Sequence, residues 1–262
     1  MRVLTRNPDE PKARWLVGHG TEVVAGDLED EASLTRGLDG VYGVYSVQAW
    51  RSSGIEAEIR QGTHLADAAK RVRISHFVHS SLAGADRRSG VPHFESKVRI
   101  EEHIRSSGMR YTIVRPAFFM EDWLYWQDMR QQIEGGSLRL PLTPETRLPM
   151  IAVDDIGGFV AMALERPAKW QDRAFELAGD ELSMAELAKV FSRVTGREVR
   201  YTQMPWGEFE AQAGKETEQM FRWVQDVGFH IDIPAVRQEY PKLTTFDHWL
   251  NSNWHTATRT AG

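Results

Sequence analysis

The chain has 262 residues, of which 41% are hydrophobic and 26% are charged, a composition typical of a globular protein rather than a disordered one. Its 32 Lys and Arg residues oppose 37 Asp and Glu residues, which gives a net charge of -5 with no basic block, so a nucleic-acid-binding surface is not expected. Apolar runs fall well short of the ~20 residues of a membrane helix. The chain has no cysteine for a disulfide, a thiolate metal site or a nucleophile. A cytoplasmic location without a membrane partner is the default expectation.

Strand-like and helix-like segments alternate through the first half of the chain, which is the pattern of parallel βαβ units. Strands are predicted at residues 1–5, 21–25, 41–47, 74–80 and 111–114, and helices at residues 9–18, 31–38, 55–72 and 94–106. Gly62 interrupts the apolar face of the third of these helices. The sequence therefore predicts an α/β fold built on a Rossmann-like parallel sheet.

The second half of the sequence has longer connections and aromatic-rich helices. Helices are predicted at residues 118–133, 152–164, 183–194, 206–213, 216–227 and 245–254, and strands at 175–177 and 199–203. Ser183 followed by Glu186 is the signature of a capping box. We expect residues 1–150 to form an NAD(P)-binding Rossmann-like domain. Residues 151–262 are expected to form a smaller α/β lobe for substrate or partner, packed with the first domain and partly interleaved with it.

A dinucleotide-binding domain normally opens with a strand, a G-x-G-x-x-G-like turn and a helix whose N-terminus holds the pyrophosphate. No segment of this sequence has that pattern, and residues 2–7 instead look like the second strand and its turn. In the strand order 3-2-1-4-5-6, the strand that is not found would lie at the centre of the sheet. We therefore expect an N-terminal truncation of roughly 25–30 residues, about one strand-loop-helix unit. A misassigned start, a deliberate shortening and a real loss of the loop stay open as its origin.

Candidate ligand-binding residues follow the predicted strands, at the edge where open α/β sheets bind ligands. Arg6 follows the first strand, where an arginine accommodates a 2′-phosphate and an acidic residue would instead bind the 2′-hydroxyl, so the sequence predicts NADP rather than NAD. Asp27 comes one βαβ unit later and would meet the adenine, although a Gly-Asp pair is also an ordinary turn. The remaining positions on this rim are Val47, Gln48, Ser80, Ser81 and residues 116–119.

His93 and Lys97 form an i,i+4 pair near the helix that follows the fourth predicted strand. In short-chain dehydrogenases a Tyr-x-x-x-Lys pair occupies this location, with the tyrosine as proton donor and the lysine on the cofactor ribose. Lys97 is therefore the stronger candidate for a cofactor ligand, against the alternative of a helix-surface lysine. His93 can donate a proton near neutral pH, but a neighbouring lysine cation disfavours its protonated form, so its role as a catalytic acid stays open.

Seven segments spread along nearly the whole chain carry a resemblance to a known family. They are Val3–Pro8, Gly20–Asp27, Phe77–Ser81, His93–Lys97, Arg115–Met120, Val153–Asp155 and Leu243–Leu250. On these segments the chain resembles the NmrA-like family of atypical short-chain dehydrogenases/reductases, and within it the HSCARG-type branch of NADPH sensors. The glycine-rich loop that is not found is the departure from the family pattern.

The resemblance implies a Rossmann domain with a smaller C-terminal lobe, NADP(H) preferred over NAD(H), and frequent absence of ordinary dehydrogenase activity. The cofactor-binding residues that it implies run from one end of the cofactor to the other: Thr5 and Arg6 for the 2′-phosphate end, Asp27 and Leu28 for the adenine side, Val47 and Gln48 for the ribose-nicotinamide bridge, and Lys97, Pro116 and Phe119 for the nicotinamide end, with Ser80 completing the set. No metal site is expected, because His76 and His79 point to opposite faces of a strand.

Three functions are compatible with these features. The first is an NADP(H)-binding redox sensor or regulator with little turnover, acting on a regulatory protein partner. The second is an NADPH-dependent reductase of quinone, azo or enone substrates, in which the cofactor carries the chemistry and His93 and Lys97 are the candidate catalytic residues. The third is a cofactor-free scaffold that binds proteins. A homodimer is compatible with all three.

Overall fold

The computed structural model describes residues 1–126 and 128–254. The chain consists of two compact units, which are described separately. The first unit contains residues 1–81, 95–113 and 162–174, and the second contains residues 82–94, 114–161 and those from 175 onward. The predicted boundary at residue 150, between a cofactor-binding domain and a lobe for substrate or partner, stays a prediction. No helix within the described ranges is both long enough and apolar enough to cross a membrane.

The first half of the chain alternates between strands and helices. Its elements are β1 (Arg2–Thr5), α1 (Pro11–Gly18), β2 (Glu22–Ala25), α2 (Glu31–Gly37), β3 (Gly43–Ser46), α3 (Trp50–Ser53), α4 (Ile55–Arg71), β4 (His76–Ser80), α5 (Pro92–Ser106) and β5 (Tyr111–Pro116). The predicted strand and helix positions are confirmed here to within a few residues, and the short helix α3 is an addition.

The second half continues the α/β pattern with shorter elements. They are β6 (Phe118–Phe119), α6 (Asp122–Tyr125), α7 (Met129–Glu134), β7 (Ser137–Leu140), β8 (Arg147–Ile151), α8 (Val153–Glu165), α9 (Pro167–Trp170), β9 (Arg173–Leu177), β10 (Asp180–Ser183), α10 (Met184–Thr195), β11 (Arg200–Gln203), α11 (Trp206–Ala213), α12 (Lys215–Asp226), α13 (Ile233–Glu239) and α14 (Phe246–Asn253). The predicted capping box begins α10: Ser183 Oγ accepts from the Glu186 amide, and the Glu186 carboxylate accepts from the Ser183 amide.

The parallel strands form two separate sheets. Strand β1 pairs in parallel with β2, and the larger sheet has the strand order β3-β4-β5-β9, in which β3 and β4 are parallel. No ladder joins β1 to β3 in the part of the chain that the structure describes. The arrangement confirms the predicted α/β, Rossmann-like fold class.

Each unit has its own apolar core. In the first unit the side chains of Leu34, Phe77, Ile100, Ile104 and Ile113 are fully buried. The core of the second unit is rich in aromatic rings that contact one another edge to face, among them Trp123, Phe191, Phe221 and Phe246. Two small sheets complete the second unit, with the orders β10-β8-β6 and β11-β7.

The prediction of one helix over residues 118–133 is wrong at its start and in its continuity: the described part of this segment, which excludes residue 127, contains β6 and the two short helices α6 and α7. Residues 118–119 instead form strand β6, in which Phe118 and Phe119 pair in parallel with Met150 and Ile151 of β8. The amide of Met120 then donates to the Ile151 carbonyl, so this backbone is committed to a sheet before α6 begins. Trp126, with extended backbone, ends α6. Pairing with a distant strand outweighs the local helical pattern, because sheet formation depends strongly on tertiary context.

Candidate functional site

The ends of β1 and β2 carry the first four predicted site residues, all in the first unit. The Thr5 carbonyl accepts from the Gly26 amide, at 3.0 Å, so the turns that follow the two strands start side by side. Thr5 Oγ1 accepts from the Asn7 amide at 3.2 Å and shapes the turn that presents Arg6. The Arg6 side chain is exposed, and within residues 1–126 and 128–254 it has no hydrogen bond or ion pair.

Asp27 and Leu28 form the turn after β2. The Asp27 carboxylate accepts from the Glu29 amide at 2.9 Å, and the Asp27 amide donates to Ser33 Oγ of α2 at 2.9 Å. The Leu28 carbonyl oxygen lies 3.2 Å from His64 Nδ1 of α4. Both residues therefore take part in a locally hydrogen-bonded turn, which is the ordinary use of a Gly-Asp pair.

Val47 and Gln48 follow β3 and differ sharply in exposure. Val47 is 51% exposed, whereas Gln48 is buried, and its amide Nε2 donates to Ser46 Oγ at 3.1 Å. Ser80, at the end of β4, is also buried. It makes a hydrogen bond with the Tyr45 hydroxyl, although burial is the larger effect on that phenol and raises its pKa. The rim of β3 and β4 is therefore preorganised by hydrogen bonds between its own side chains.

Lys97 is buried and makes two strong contacts in the first unit. Its ammonium Nζ lies 3.0 Å from Glu58 Oε1 of α4 and donates to the Gln48 carbonyl at 2.9 Å. Burial lowers the pKa of Lys97, and the adjacent Glu58 carboxylate opposes that shift. The structure thus brings two predicted residues, Gln48 and Lys97, into direct contact. An ammonium has three N–H donors, so these two contacts leave one N–H for a ligand.

His79 of β4 adds an imidazole to the same network. It is fully buried, and its Nδ1 lies 3.3 Å from Ser46 Oγ, the group that also binds Gln48. Burial lowers the pKa of His79 well below its ordinary value, and the Lys97 charge lowers it further. Its Nε2 is buried without a hydrogen-bond partner in the described structure, as is Ser81 Oγ. Buried polar atoms of this kind need a partner, which a bound ligand can supply.

His93 forms a separate polar pair in the second unit. Its imidazole Nδ1 lies 2.8 Å from Glu216 Oε1 of α12, and its backbone amide donates to the same oxygen at 3.0 Å. The neighbouring Phe94 ring contacts Trp223 edge to face, also on α12. A carboxylate on Nδ1 holds an imidazole in a fixed orientation. His93 and Lys97 lie four residues apart on α5, each with its own carboxylate partner.

Pro116 and Phe119 lie in the second unit. Pro116 ends β5 and is buried, and its carbonyl accepts from the Ala83 amide at 2.9 Å. Phe119 lies in β6 and is 38% exposed. Nearby in the chain, Arg115 pairs with the carboxylate of Asp86. Phe119 therefore offers an apolar surface on a strand that is fixed by backbone pairing.

Three residues of these networks were not singled out in the sequence: Glu58, His79 as a buried group, and Glu216. Glu58 had one local signal. The buried residues of α4 include Glu58, Gly62, Leu65, Ala66 and Ala69, so the carboxylate lies in phase with the buried stripe of its helix. Glu216 had no such signal, because its partner lies 123 residues away.

Comparisons with known proteins agree with this fold. The model of the NmrA-like family matches residues 1–250. The NAD(P)H azoreductase of Xenophilus azovorans is 33% identical over 195 residues, which cover 74% of this chain and 65% of that protein, so the match spans just under two thirds of its length.

Two solved structures share the fold. An NADPH-dependent quinone oxidoreductase from Escherichia coli, complexed with NADPH, has a TM-score of 0.80 at 22% identity, covering 97% of this chain and 90% of that one. NmrA, a negative transcriptional regulator in complex with NADP, has a TM-score of 0.81 at 19% identity, covering 100% and 89%. At these identities the likeness establishes the fold alone. Since the family model matches nearly the whole sequence, the chain belongs to the NmrA-like family.

Proposed function

We propose that this protein binds NADP(H) and uses it to reduce an azo or quinone-type substrate. The observation that carries the proposal is helix α5, which holds an ammonium and an imidazole four residues apart, each paired with a carboxylate: Lys97 with Glu58, and His93 with Glu216. When bound, NADPH supplies a hydride to the substrate. Lys97 would bind the ribose hydroxyls, and His93 would donate the proton that the reduced substrate takes up. The azoreductase relative supports this substrate class.

The residues present fit the two ends of such a cofactor. At one end, the remaining N–H of Lys97 and the buried, unpartnered atoms His79 Nε2 and Ser81 Oγ suit a hydroxyl-rich and amide-bearing ligand. At the other end, the exposed Arg6 guanidinium can make charge-assisted hydrogen bonds to a 2′-phosphate. The Asp27 carboxylate already accepts a hydrogen bond from the Glu29 amide, so we expect it to bind a ribose hydroxyl only weakly.

The described residues do not form a cradle for the pyrophosphate. Helix α1, the first helix after β1, begins with Pro11, which has no N–H, and its N-cap residue Glu10 carries a negative charge. Neither feature suits an anion at a helix N-terminus. The proposal therefore assigns residues of this chain to the adenosine and nicotinamide ends of the cofactor only.

Arg6→Ala tests the cofactor assignment. We expect the wild type to bind NADPH more tightly than NADH by calorimetric titration. The variant should lose roughly ten- to hundredfold in NADPH affinity, since a charge-assisted hydrogen bond contributes about 1.5–3 kcal/mol, and little in NADH affinity. Arg36→Ala is the matched control, because it removes an exposed arginine from the last turn of α2 with the same change in net charge. Equal binding of both dinucleotides by the wild type would refute the preference for NADP.

The second candidate is the redox sensor, favoured by one observation: a histidine, His93, stands where short-chain dehydrogenases have their tyrosine. In that case cofactor occupancy controls a protein partner, and turnover is negligible. Oxidation of NADPH with a panel of azo dyes and quinones separates the two. Turnover that falls in His93→Gln supports the reductase. Tight NADPH binding with no turnover on any substrate favours the sensor, and no dinucleotide binding at all favours a protein-binding scaffold.

A further inference from the structure

Glu58 is the most deeply buried carboxylate of the Lys97 network. Its side chain is fully buried in the first unit, in the first turn of α4. One carboxylate oxygen lies 3.0 Å from Lys97 Nζ and accepts from the Trp50 amide at 3.2 Å, and the other accepts from Ser96 Oγ. Three donors from two parts of the chain therefore converge on a single acidic side chain.

Stability alone is a poor explanation for this pair. Taking both charges out of water costs more than their attraction commonly returns, so apolar residues of similar size would serve the fold as well or better. The contacts of the ion pair instead hold one backbone segment, the one that follows β3. The Gln48 carbonyl accepts from Lys97, and the Trp50 amide donates to Glu58, so the backbone that follows β3 is held by the two members of the ion pair.

We propose that Glu58 is a positioning residue that keeps Lys97 in its charged form and, through Lys97, fixes the segment carrying Gln48. The Lys97 ammonium is then charged and in position before a cofactor binds. The part of this inference that concerns the cofactor rests on the proposed function, whereas the part that concerns the charge of Lys97 does not.

The surroundings of Lys97 make its charge depend on Glu58. Within the described residues, the titratable groups that interact electrostatically with Lys97 are Glu58 on α4 and His79 on β4, and the Gln48 carbonyl after β3 accepts from its ammonium. Burial lowers the pKa of Lys97, and Glu58 is the group that raises it. Because burial also disfavours the charged form of His79, this imidazole adds no positive charge beside Lys97. Removing the carboxylate leaves a buried amine whose pKa is free to fall.

The test is a pH titration of the full chain with 13C-labelled lysine Cε atoms, followed by NMR. The chain has seven lysines, and Lys97→Arg identifies the Lys97 signal by its loss. In the wild type we expect Lys97 to keep its proton to a higher pH than in Glu58→Gln, because the carboxylate opposes the effect of burial. In Glu58→Gln the midpoint should fall by about two pH units or more, as for other buried lysines. Glu58→Asp keeps the charge and should restore most of the wild-type behaviour.

Asp67→Asn is the matched control. Asp67 and His103 also pair α4 with α5, at 2.7 Å, but both side chains are partly exposed. This variant should leave the Lys97 titration unchanged. A folded Glu58→Gln variant with the wild-type titration would overturn the proposal. If Glu58→Gln does not fold, the wild-type curve decides, because a Lys97 that is already neutral at physiological pH with Glu58 intact is equally incompatible with the proposal.

NADPH titration of the same variants adds the functional readout. In Glu58→Gln the affinity should be roughly tenfold weaker at pH 9 than at pH 6, since a neutral amine makes a weaker hydrogen bond to the ligand than an ammonium does. The wild-type affinity should not show this dependence. A wild type that binds no NADPH would refute the proposed function, and the NMR titration would still judge the role of Glu58.

Discussion

Replacing Gly62 by alanine is expected to destabilise the first unit, although alanine is the better helix former. A Cβ added at Gly62 would lie 2.7 Å from Ile100 Cδ1 and 2.9 Å from its Cγ1 and Cγ2. These distances are about 1 Å inside the optimum for two carbon atoms. Ile100 is fully buried on α5, and a β-branched side chain in a helix has essentially one χ1 rotamer, so it cannot turn aside.

Two opposing effects set the size of the change. Alanine in a helix interior gains about 0.8–1 kcal/mol over glycine. Overpacking a close-packed core costs about 1–3 kcal/mol, and three simultaneous short contacts place this site in the upper part of that range. The expected net result is a loss of about 1–2 kcal/mol in the free energy of unfolding. Because Gly62 lies one turn after Glu58, and Ile100 three residues after Lys97, pushing α4 and α5 apart also strains the Glu58–Lys97 pair.

Urea denaturation measures the effect, and Gly157→Ala is the matched control. Gly157 is also a helix-interior glycine, in α8, but it is exposed, and an added Cβ would meet no described atom within 4 Å. Its replacement should raise the free energy of unfolding by about 0.5–1 kcal/mol. Adding Ile100→Val to Gly62→Ala should cost less than the sum of the single changes. If Gly62→Ala stabilises the protein as Gly157→Ala does, the helices have room to spare and the reasoning is refuted.

Three further outcomes follow from single features of the structure. Ser183→Ala removes the capping box of α10 and should lower the free energy of unfolding in urea by about 0.5–2 kcal/mol; an unchanged value would mean that the box does not stabilise the helix. Gly84→Ala should lower the melting temperature more than Gly90→Ala does: both residues have positive φ, but only at Gly84 would the new Cβ collide with the Trp223 ring. Below its ordinary pKa of about 6.5 the unfolded chain protonates His79 while burial keeps the folded form neutral, so stability should fall as the pH drops from 7 to 5, by at most about 1.4 kcal/mol per pH unit from this group. His79→Gln should flatten that dependence, and an equally steep loss in the variant would assign it to other groups.

The elements of the first half of the chain could be predicted because each depends on neighbours in sequence. Alternating runs separated by glycine, and the Ser183 to Glu186 spacing in the second half, fix local structure whatever lies elsewhere. The segment at residues 118–133 could not be predicted in this way. Phe118 and Phe119 pair with β8, some thirty residues ahead in the chain, and a local pattern does not show that strand. The distant pairing therefore decides the structure of this segment against its local helical pattern.

The candidate site shows the same difference between local features and contacts that are distant in sequence. Lys97 was identified from its spacing to His93 and its place after a strand, both local features. Its carboxylate partner could not be identified from local features of the sequence. A buried ammonium requires a carboxylate, since an unpaired buried charge is too costly, but the sequence offers 37 acidic residues. Within α4 the predicted apolar face included Ile55 and Ile59, with Gly62 as an interruption.

The structure turns that helix so that Glu58 and Gly62 face inward while Ile55 and Ile59 are only partly buried. The apparent interruption and the unassigned carboxylate then have one explanation. Gly62 lets α4 approach Ile100 of α5 closely, and the close approach brings Glu58, one turn earlier, within hydrogen-bond distance of Ser96 and Lys97. A glycine and an acidic residue four apart, in phase with alanines further along the same helix, are therefore better interpreted as a close helix contact carrying a buried charge than as a defect in an apolar stripe. The Gly62→Ala and Glu58→Gln variants test the two halves of that interpretation, because the first changes the helix spacing and keeps both charges of the pair, whereas the second removes the carboxylate charge.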